Sequence, residues 1–581
     1  MAVLHRYDWI FALITLFFCA SSFSNGANDV ANSYATSVAA RTIPMWVAGI
    51  LAACTEFVGS VAMGKRVSQT IKSGIIDIKR FEGYPGVFML AMACAEAGSA
   101  AWLAIATAFH FPVSTTQTIV GALIGVGFAS QTSIHWGWQK GSVSQVAASW
   151  GIAPAIAGGF AAVIFLTIKV LILWRKDPLK WGMRAIPIYM ATTAAILAVF
   201  IIDSAPSSSL EKLGAKSVGV ALGVWGGTLL ISCIFFVPYF HRRLVVRDRR
   251  IRMYHVILGP LLLKENPPLF WPGNEEENTR LDDELSVSEK IDPSSGGEMP
   301  QTAEDMVRQN SAISGDLEKG GESPAGERVM NPSAVTPVEF NDKAHVKPSY
   351  RRKPTPEERF LAPTAHLPPY NPRRIWSYIL YGLLHGVTVE VVNYHQDRLQ
   401  NVHAKAKHYD PRVEDLWTYC QVVSAMLMSI AHGANDVSNA VGPWSATYET
   451  WKTSTVIEES NVPVWMLVVA GLLLGTGFWF YGYNIVRQLG NNITHMSPTR
   501  GFSIELGAAI TALLASELSL PVSTTQCLTG ASVGVALMNF DLGAVNYRAV
   551  LWIFSGWVLT LPIAGLIAGL IMLMALNTPH F

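Results

Sequence analysis

Two short polar runs, each set inside an apolar stretch, are where this chain could do chemistry: Asn25-Gly-Ala-Asn-Asp-Val-Ala-Asn32 and His432-Gly-Ala-Asn-Asp-Val-Ser-Asn439. An aspartate in hydrocarbon costs about 2.5–3.5 kcal/mol even on a lenient insertion scale, so Asp29 and Asp436 must face a cavity or a cation. Gly26 and Gly433 are expected to let the helix unwind there and bare its carbonyls. Carboxylate, the amide oxygens of Asn28 and Asn435, and free carbonyls are hard ligands that suit sodium. The bland alternative is an interhelical packing pair, with each Asp bonded to neighbouring backbone; its occurring twice weighs against it. Asn32 and Asn439 close the two runs and are further candidates.

A second pair, Phe111-Pro-Val-Ser-Thr-Thr-Gln117 and Leu520-Pro-Val-Ser-Thr-Thr-Gln526, reads as a helix start. Pro112 and Pro521 suit the first helical position. Ser114, Thr115, Thr116, Ser523, Thr524 and Thr525 then offer hydroxyls beside unpaired backbone N–H groups, which is a ready anion site. Asn28 and Asn435 are expected to share it. The competing reading is that these hydroxyls bond back to the preceding turn, as Ser and Thr in membrane helices often do.

Three glutamates fall inside apolar runs. Glu96 and Glu505 are 409 residues apart, each 16 residues before the proline of its helix-start motif. They either ligate a cation or pair with a buried donor. Glu56 has no counterpart and is a candidate for a cation site or a gate. His432 stands where the first copy has Asn25; it reads equally as a proton-sensitive ligand and as an ordinary hydrogen-bonding histidine.

No Lys or Arg occurs within these motifs, so an anion must be held by helix dipoles, hydroxyls and bound cations. Two unit charges 5 Å apart repel by about 3 kcal/mol at an effective dielectric of 20. Cations between the aspartates and the anion reverse that sign, which makes coupling obligatory. The carboxylates also favour phosphate over sulfate. Protonated phosphate has hydroxyl donors for them, sulfate has none, and buried acceptors left unpaired reject a ligand strongly.

The elements that position these residues are apolar helices. Half of the 581 residues are hydrophobic and 15% are charged, against roughly 25% in soluble domains, and the mean hydropathy is +0.31. Runs near 8–25, 43–63, 86–109, 112–130, 146–174, 185–203 and 217–240, then 416–441, 464–482, 502–519, 521–540 and 549–575, predict about twelve transmembrane segments, some of them broken or re-entrant. The fold class expected is all-α and polytopic. Asn28 and Asn435 are 407 residues apart and Pro112 and Pro521 are 409 apart, so the chain carries an internal repeat, its first copy spanning 25–130. Seven spans between the copies invert the second, as in many secondary transporters that bind substrate where the halves meet.

The organisation expected is a first membrane half over 1–240, a loop over 241–415 and a second half over 416–581. The loop opens on a basic block (His241, Arg242, Arg243, Arg247, Arg249, Arg250, Arg252), which marks the cytoplasmic side. Most of 272–370 is expected to be disordered by composition, and an interfacial helix is expected near 374–396. This places both termini outside, although 64–80, with five Lys and Arg, would then face outward unless tilted or re-entrant. The net charge of +1 offers no argument for nucleic acid, and the six cysteines have no metal or CxxC spacing. No nucleophile–base pair or nucleotide loop appears, so an enzyme is not expected, and no cofactor is.

Asn28-Asp29, Asn435-Asp436 and the two Pro-Val-Ser-Thr-Thr segments together resemble the inorganic phosphate transporter family, most nearly its fungal sodium–phosphate symporters. The resemblance covers roughly 8–240 and 416–575. It implies a plasma-membrane symporter, often dimeric, that moves inorganic phosphate with sodium at the paired motifs, with Glu56, Glu96 and Glu505 as transport carboxylates. Gln117 and Gln526 depart from it, since members commonly carry His there. Two alternatives remain open: proton coupling, with the glutamates and His432 as relay, and a nutrient receptor that signals through the loop and no longer transports, against which the intact motifs argue.

Overall fold

The computed structural model describes residues 4–139, 141–204, 214–248, 250–273, 354–392, 399, 402–403, 405–457, 462–490 and 492–578. They belong to one compact unit, residues 1–279 and 354–581. Most of the stretch expected to be disordered, 274–353, lies outside the described residues. Residues 354–370 are described, and they form short helical turns at Glu357–Leu361 and Ala362–Thr364.

The unit is built of helices. Among the described residues the β-structure is one isolated bridge between Ile76 and Ile134. In chain order the helices are α1 (Asp8–Asn28), α2 (Ala31–Ala39), α3 (Met45–Met63), α4 (Lys65–Ser73), α5 (Pro85–Ala108), α6 (Thr115–Ala129), α7 (Val143–Ile168), α8 (Pro178–Ser204) and α9 (Gly214–Ile231). There follow α10 (Pro372–Thr388), α11 (Thr418–Thr453), α12 (Val464–Tyr481), α13 (Tyr483–Leu489), α14 (Pro498–Glu517), α15 (Thr524–Leu537) and α16 (Tyr547–Asn577). The repeat extends well beyond the motifs: α11 repeats α1 and α2, and α12 to α16 repeat α3 to α7 in order. The helices α8, α9 and α10 have no counterpart.

Among the described residues eight helical stretches are long and apolar enough to cross a membrane, which makes this a multi-pass membrane protein; the expectation is about twelve segments, some broken or re-entrant. Two of the other four, α6 and α15, have 15 and 14 residues. At 1.5 Å per residue that is about 22 Å, short of a hydrocarbon core of about 30 Å. The remaining two, α11 and α14, are long enough but polar inside. The basic segment 64–80 contains the short helix α4, whose Ile71 packs on Gly442 of α11 and whose Thr70 donates to the Ser519 carbonyl. The helix expected near 374–396 is α10; Trp376, Ile379 and Leu383 are exposed on it, and it is held by Trp479, which donates to the Leu383 carbonyl at 2.7 Å.

The two copies interlock in opposite directions. Along α1 and α11 the contacts run antiparallel: Trp451 donates to Asp8 at 2.8 Å, Trp444 donates to Thr15 at 3.0 Å, and Asn25 donates to the Asp436 carbonyl at 3.1 Å. The helices α3 and α12 are antiparallel too, with Gly475 on Ala53 and Gly471 on Phe57. The ends then exchange partners. Gly125 of α6 faces Gly565 of α16, and Gly534 of α15 faces Gly158 of α7. Since apolar burial gives little drive between helices in lipid, such close backbone contacts are what hold the bundle.

Both chain ends reach one face. Tyr7 packs on Gly86, at the start of α5, and α16 runs antiparallel to α5 through Gly98 on Ala568 and Trp102 donating to Thr560 at 3.1 Å. The start of α11, where the 241–415 segment ends, therefore lies at the opposite face.

Candidate functional site

The motif Asn435-Asp436 lies at the midpoint of α11, and Asn28-Asp29 lies at the short break between α1 and α2. The unwinding expected at both glycines is not found at Gly433, and in the first copy it is limited to the two-residue break at Asp29 and Val30. The helix α11 is continuous through Gly433, and Asp29 and Val30 keep right-handed backbone angles. The glycines serve close approach instead. A Cβ on Gly26 would lie 2.0 Å from the Leu474 carbonyl oxygen, and one on Gly433 would lie 2.7 Å from that of Glu56.

The helix starts lie three residues later than expected. Pro112 and Pro521 lie upstream of the helices, and Ser114 and Ser523 are the N-caps, their hydroxyls accepting from the backbone N–H of Gln117 (3.2 Å) and Gln526 (3.3 Å). Each serine thereby uses one acceptor position and keeps its O–H to donate. The following threonines face the aspartates. Thr115 gives Asp29 Oδ2 its hydroxyl (2.7 Å) and its backbone N–H (3.2 Å), and Thr524 gives Asp436 Oδ2 its hydroxyl (2.7 Å).

The copies then cross. Thr525 donates to Asp29 Oδ1 at 2.8 Å, and Asn32 donates to Thr525 at 2.9 Å. Asn439 donates to Thr115 (3.0 Å) and Thr116 (3.2 Å). The Thr116 hydroxyl is also 3.0 Å from the Val522 carbonyl, and that of Thr525 is 3.1 Å from the Val113 carbonyl, a reciprocal pair. One ligand atom each from Asp29, His432 and Asp436 fall within 4.8 Å of one another. The two motifs, remote in sequence, thus form one buried site.

Asn28 and Asn435 each brace the loop before a helix start. Asn28 donates to Thr107 (3.1 Å) and the Phe111 carbonyl (2.9 Å) and accepts from Val113 N–H (3.1 Å). Asn435 donates to Ser516 (3.2 Å) and the Leu520 carbonyl (3.3 Å). Thr107 and Ser516 were not singled out from the sequence, though their separation matches that of the prolines and carries the repeat's signal.

The site is rich in oxygen and poor in donors. Asn32 Oδ1, Asn435 Oδ1, Asp436 Oδ1, Asn439 Oδ1, Gln117 Oε1 and Gln526 Oε1 are buried with no hydrogen-bond partner among the described residues. Buried oxygens without donors are costly, and a hard cation is the species that satisfies several at once.

The three glutamates part ways. Glu56 is fully buried, accepts from Ser429 at 2.6 Å and lies 2.8 Å from His432 Nδ1; His432 Nε2 is 3.1 Å from Asp436 Oδ2. Ser429 gave no sequence signal. Glu505 accepts from Thr36 and Ser37 (2.6 Å each), Ser424 (2.5 Å) and Gln421 (3.4 Å). Its counterpart Glu96 is equally buried, with the Ser21 hydroxyl beside it, but neither of its oxygens makes a close hydrogen bond among the described residues.

A membrane bundle made of two interlocked antiparallel copies, with one polar site where their broken apolar runs meet, is the architecture of a secondary transporter. The chain belongs to the phosphate transporter family, whose sequence profile matches residues 25–568. It is 36% identical to the phosphate-repressible phosphate permease pho-4 of Neurospora crassa, across 100% of this chain and 99% of that one. It is 28% identical to sodium-dependent phosphate transporter 1 of Rattus norvegicus (98% and 95% covered) and 29% identical to sodium-dependent phosphate transporter 2 of Felis catus (94% of each). A solved structure described as the sodium-dependent phosphate transporter shares the fold, with a TM-score of 0.62 at 22% identity over 98% of this chain and 100% of that one. The protein is thus a transporter and not an enzyme.

Proposed function

We propose that the chain is a sodium-coupled symporter that imports inorganic phosphate by alternating access across the plasma membrane, its termini outside and its long loop in the cytoplasm. The observation that carries this is who holds the helix starts. Thr115, Thr524 and Thr525 of the Ser-Thr-Thr runs spend their hydroxyls on Asp29 and Asp436, partly across the boundary between copies, while the amide oxygens of Asn32, Asn435 and Asn439 have no donors among the described residues. Carboxylate and phosphate therefore compete for the same hydroxyls.

Sodium resolves the competition. Bound to Asp29 and Asp436 with the amide oxygens of Asn32, Asn435 and Asn439, it draws the carboxylates away and frees Thr115, Thr524 and Thr525 for phosphate. Without it, phosphate at 5 Å from either aspartate meets a repulsion of about 3 kcal/mol. Glu96, with the Ser21 hydroxyl beside it but no close hydrogen bond among the described residues, is the best placed of the three glutamates to take a further cation; Glu505 is already satisfied by four side chains. The rat and cat relatives named as sodium-dependent support the choice of ion. A homodimer belongs to this reading on family resemblance alone.

The line Glu56–His432–Asp436 favours one second reading, proton coupling through His432. Phosphate uptake into vesicles, with sodium and pH varied independently, separates the two. Sodium coupling gives uptake that vanishes without sodium at every pH; uptake indifferent to sodium and rising with external acidity replaces it with the second reading.

A further inference from the structure

At the first turn of α14, far along that helix from Ser516, lies a group of cations that the transport reading does not use. Arg500 is 1% exposed. One of its terminal nitrogens donates to the Lys407 carbonyl at 2.5 Å and to Asn539 Oδ1 at 3.1 Å, the other lies 3.0 Å from His495 Nδ1, and its Nε is buried without a partner. Lys169, also buried, donates to the Met538 carbonyl, and its ammonium sits over the rings of Phe540 (4.6 Å), Trp174 (5.1 Å) and Phe165 (5.9 Å).

These side chains converge. The Arg500 guanidinium reaches the same Phe165 ring at 5.9 Å and the Tyr409 ring at 5.7 Å, and Lys407 lies over Tyr409 at 6.0 Å. The rings of His408 and His403 pack on His495 at 4.6 and 5.4 Å. The acid of the region, Glu414, spends its oxygens on the N–H and hydroxyl of Thr499, 2.9 Å each. Among the described residues no carboxylate forms an ion pair with Arg500 or Lys169.

Glu414 lies near enough to act on Arg500 but makes no ion pair with it, and buried cations without an acid in contact are expensive. The duplicated fold does not require them, since at the 409-residue spacing that pairs Glu96 with Glu505 the residue of α5 matching Arg500 is Ala91. A guanidinium fork with an open Nε beside two ammonium groups matches the several oxygens of a phosphate. We propose that this cluster is a second anion site, separate from Asp29 and Asp436, that binds a phosphate group, with Arg500 and Lys169 as its floor and the exposed Lys407 and His408 at its rim. It lies at the face where the 241–415 segment ends. The chemistry fits free inorganic phosphate and a phosphomonoester lipid headgroup alike.

The test uses the full chain in phosphatidylcholine nanodiscs in sodium-free buffer, following the thermal unfolding midpoint. One arm titrates inorganic phosphate; the other adds phosphatidylinositol 4-phosphate to the lipid. The midpoint is expected to rise in at least one arm, less so at high salt. Lys407→Gln, on an exposed side chain, is expected to weaken half-saturation by about five- to tenfold, and Arg500→Gln to remove the response. A response to phosphate alone assigns a soluble ligand, and a response to the lipid alone assigns a headgroup. No rise in either arm overturns the proposal, as does a rise unchanged in Lys407→Gln, which also decides the matter should Arg500→Gln not fold.

Discussion

Thr525 of the second copy donates its hydroxyl to Asp29 of the first at 2.8 Å, across 496 residues of sequence. Removing that donor tests whether the crossing matters. A hydrogen bond to a charged group is worth about 1.5–3 kcal/mol, so Thr525→Val is expected to lower phosphate uptake by about tenfold or more while Thr525→Ser retains most of it. Equal uptake by both variants would show the hydroxyl to be idle.

Glu56 and His432 form a buried pair that the first-half motif lacks. Gly433 packs on the Glu56 carbonyl just as Gly26 packs on that of Leu474, so Leu474 and Asn25 are the residues the other copy has in their places. Breaking a buried pair from one side costs about 3–5 kcal/mol. Glu56→Leu and His432→Asn should each lower the unfolding midpoint in detergent, and the double variant should lose clearly less than the two losses combined. Additive losses would mean the two side chains are not coupled.

Gly125 illustrates what holds the bundle. A Cβ there would lie 1.9 Å from the Gly565 carbonyl oxygen, whereas one on Gly151 would meet nothing within 4 Å. Overpacking of this kind costs about 1–3 kcal/mol. Gly125→Ala should therefore unfold at a lower temperature and Gly151→Ala should not; matched midpoints would contradict the close contact of α6 and α16.

Outside the spans, Asp248 accepts from the side chain and backbone N–H of Arg250 and from Arg242, which hold its carboxyl down to about 2. A depressed carboxyl contributes stability above the unfolded value of about 3.9, and that contribution is lost as pH falls toward the folded one. Asp248→Asn should lower the unfolding midpoint at pH 7, with the gap closing below about pH 3. A gap that stays constant with pH would rule out the charge as its cause.

Much of this was legible in the sequence because duplication leaves matched spacings. The motifs gave the copies, and each of the twelve apolar runs is represented by a helix. What failed was depth and detail. A run of apolar residues does not disclose that α6 and α15 are too short to cross, because the loop residues before them are apolar as well. Pro112 and Pro521 drew attention from Ser114 and Ser523, whose capping depends on backbone angles. Gly26 and Gly433 read as points of unwinding because the alternative, a neighbouring carbonyl, belongs to a helix hundreds of residues away. The difference between Glu96 and Glu505 was likewise invisible. Thr36, Ser37, Gln421 and Ser424 surround Glu505 alone, and nothing in the spacing of the glutamates reports who their neighbours are.

The central claim is that both Asn-Asp motifs and both Ser-Thr-Thr runs make one site that takes phosphate only with sodium. Binding of radiolabelled phosphate to the purified protein, measured with sodium and with potassium in its place, tests it most directly. Binding in sodium is expected to exceed that in potassium, and this sodium-dependent part is expected to vanish in Asp29→Asn and in Asp436→Asn alike. Equal binding in both salts, or loss in one variant with full binding in the other, would contradict it.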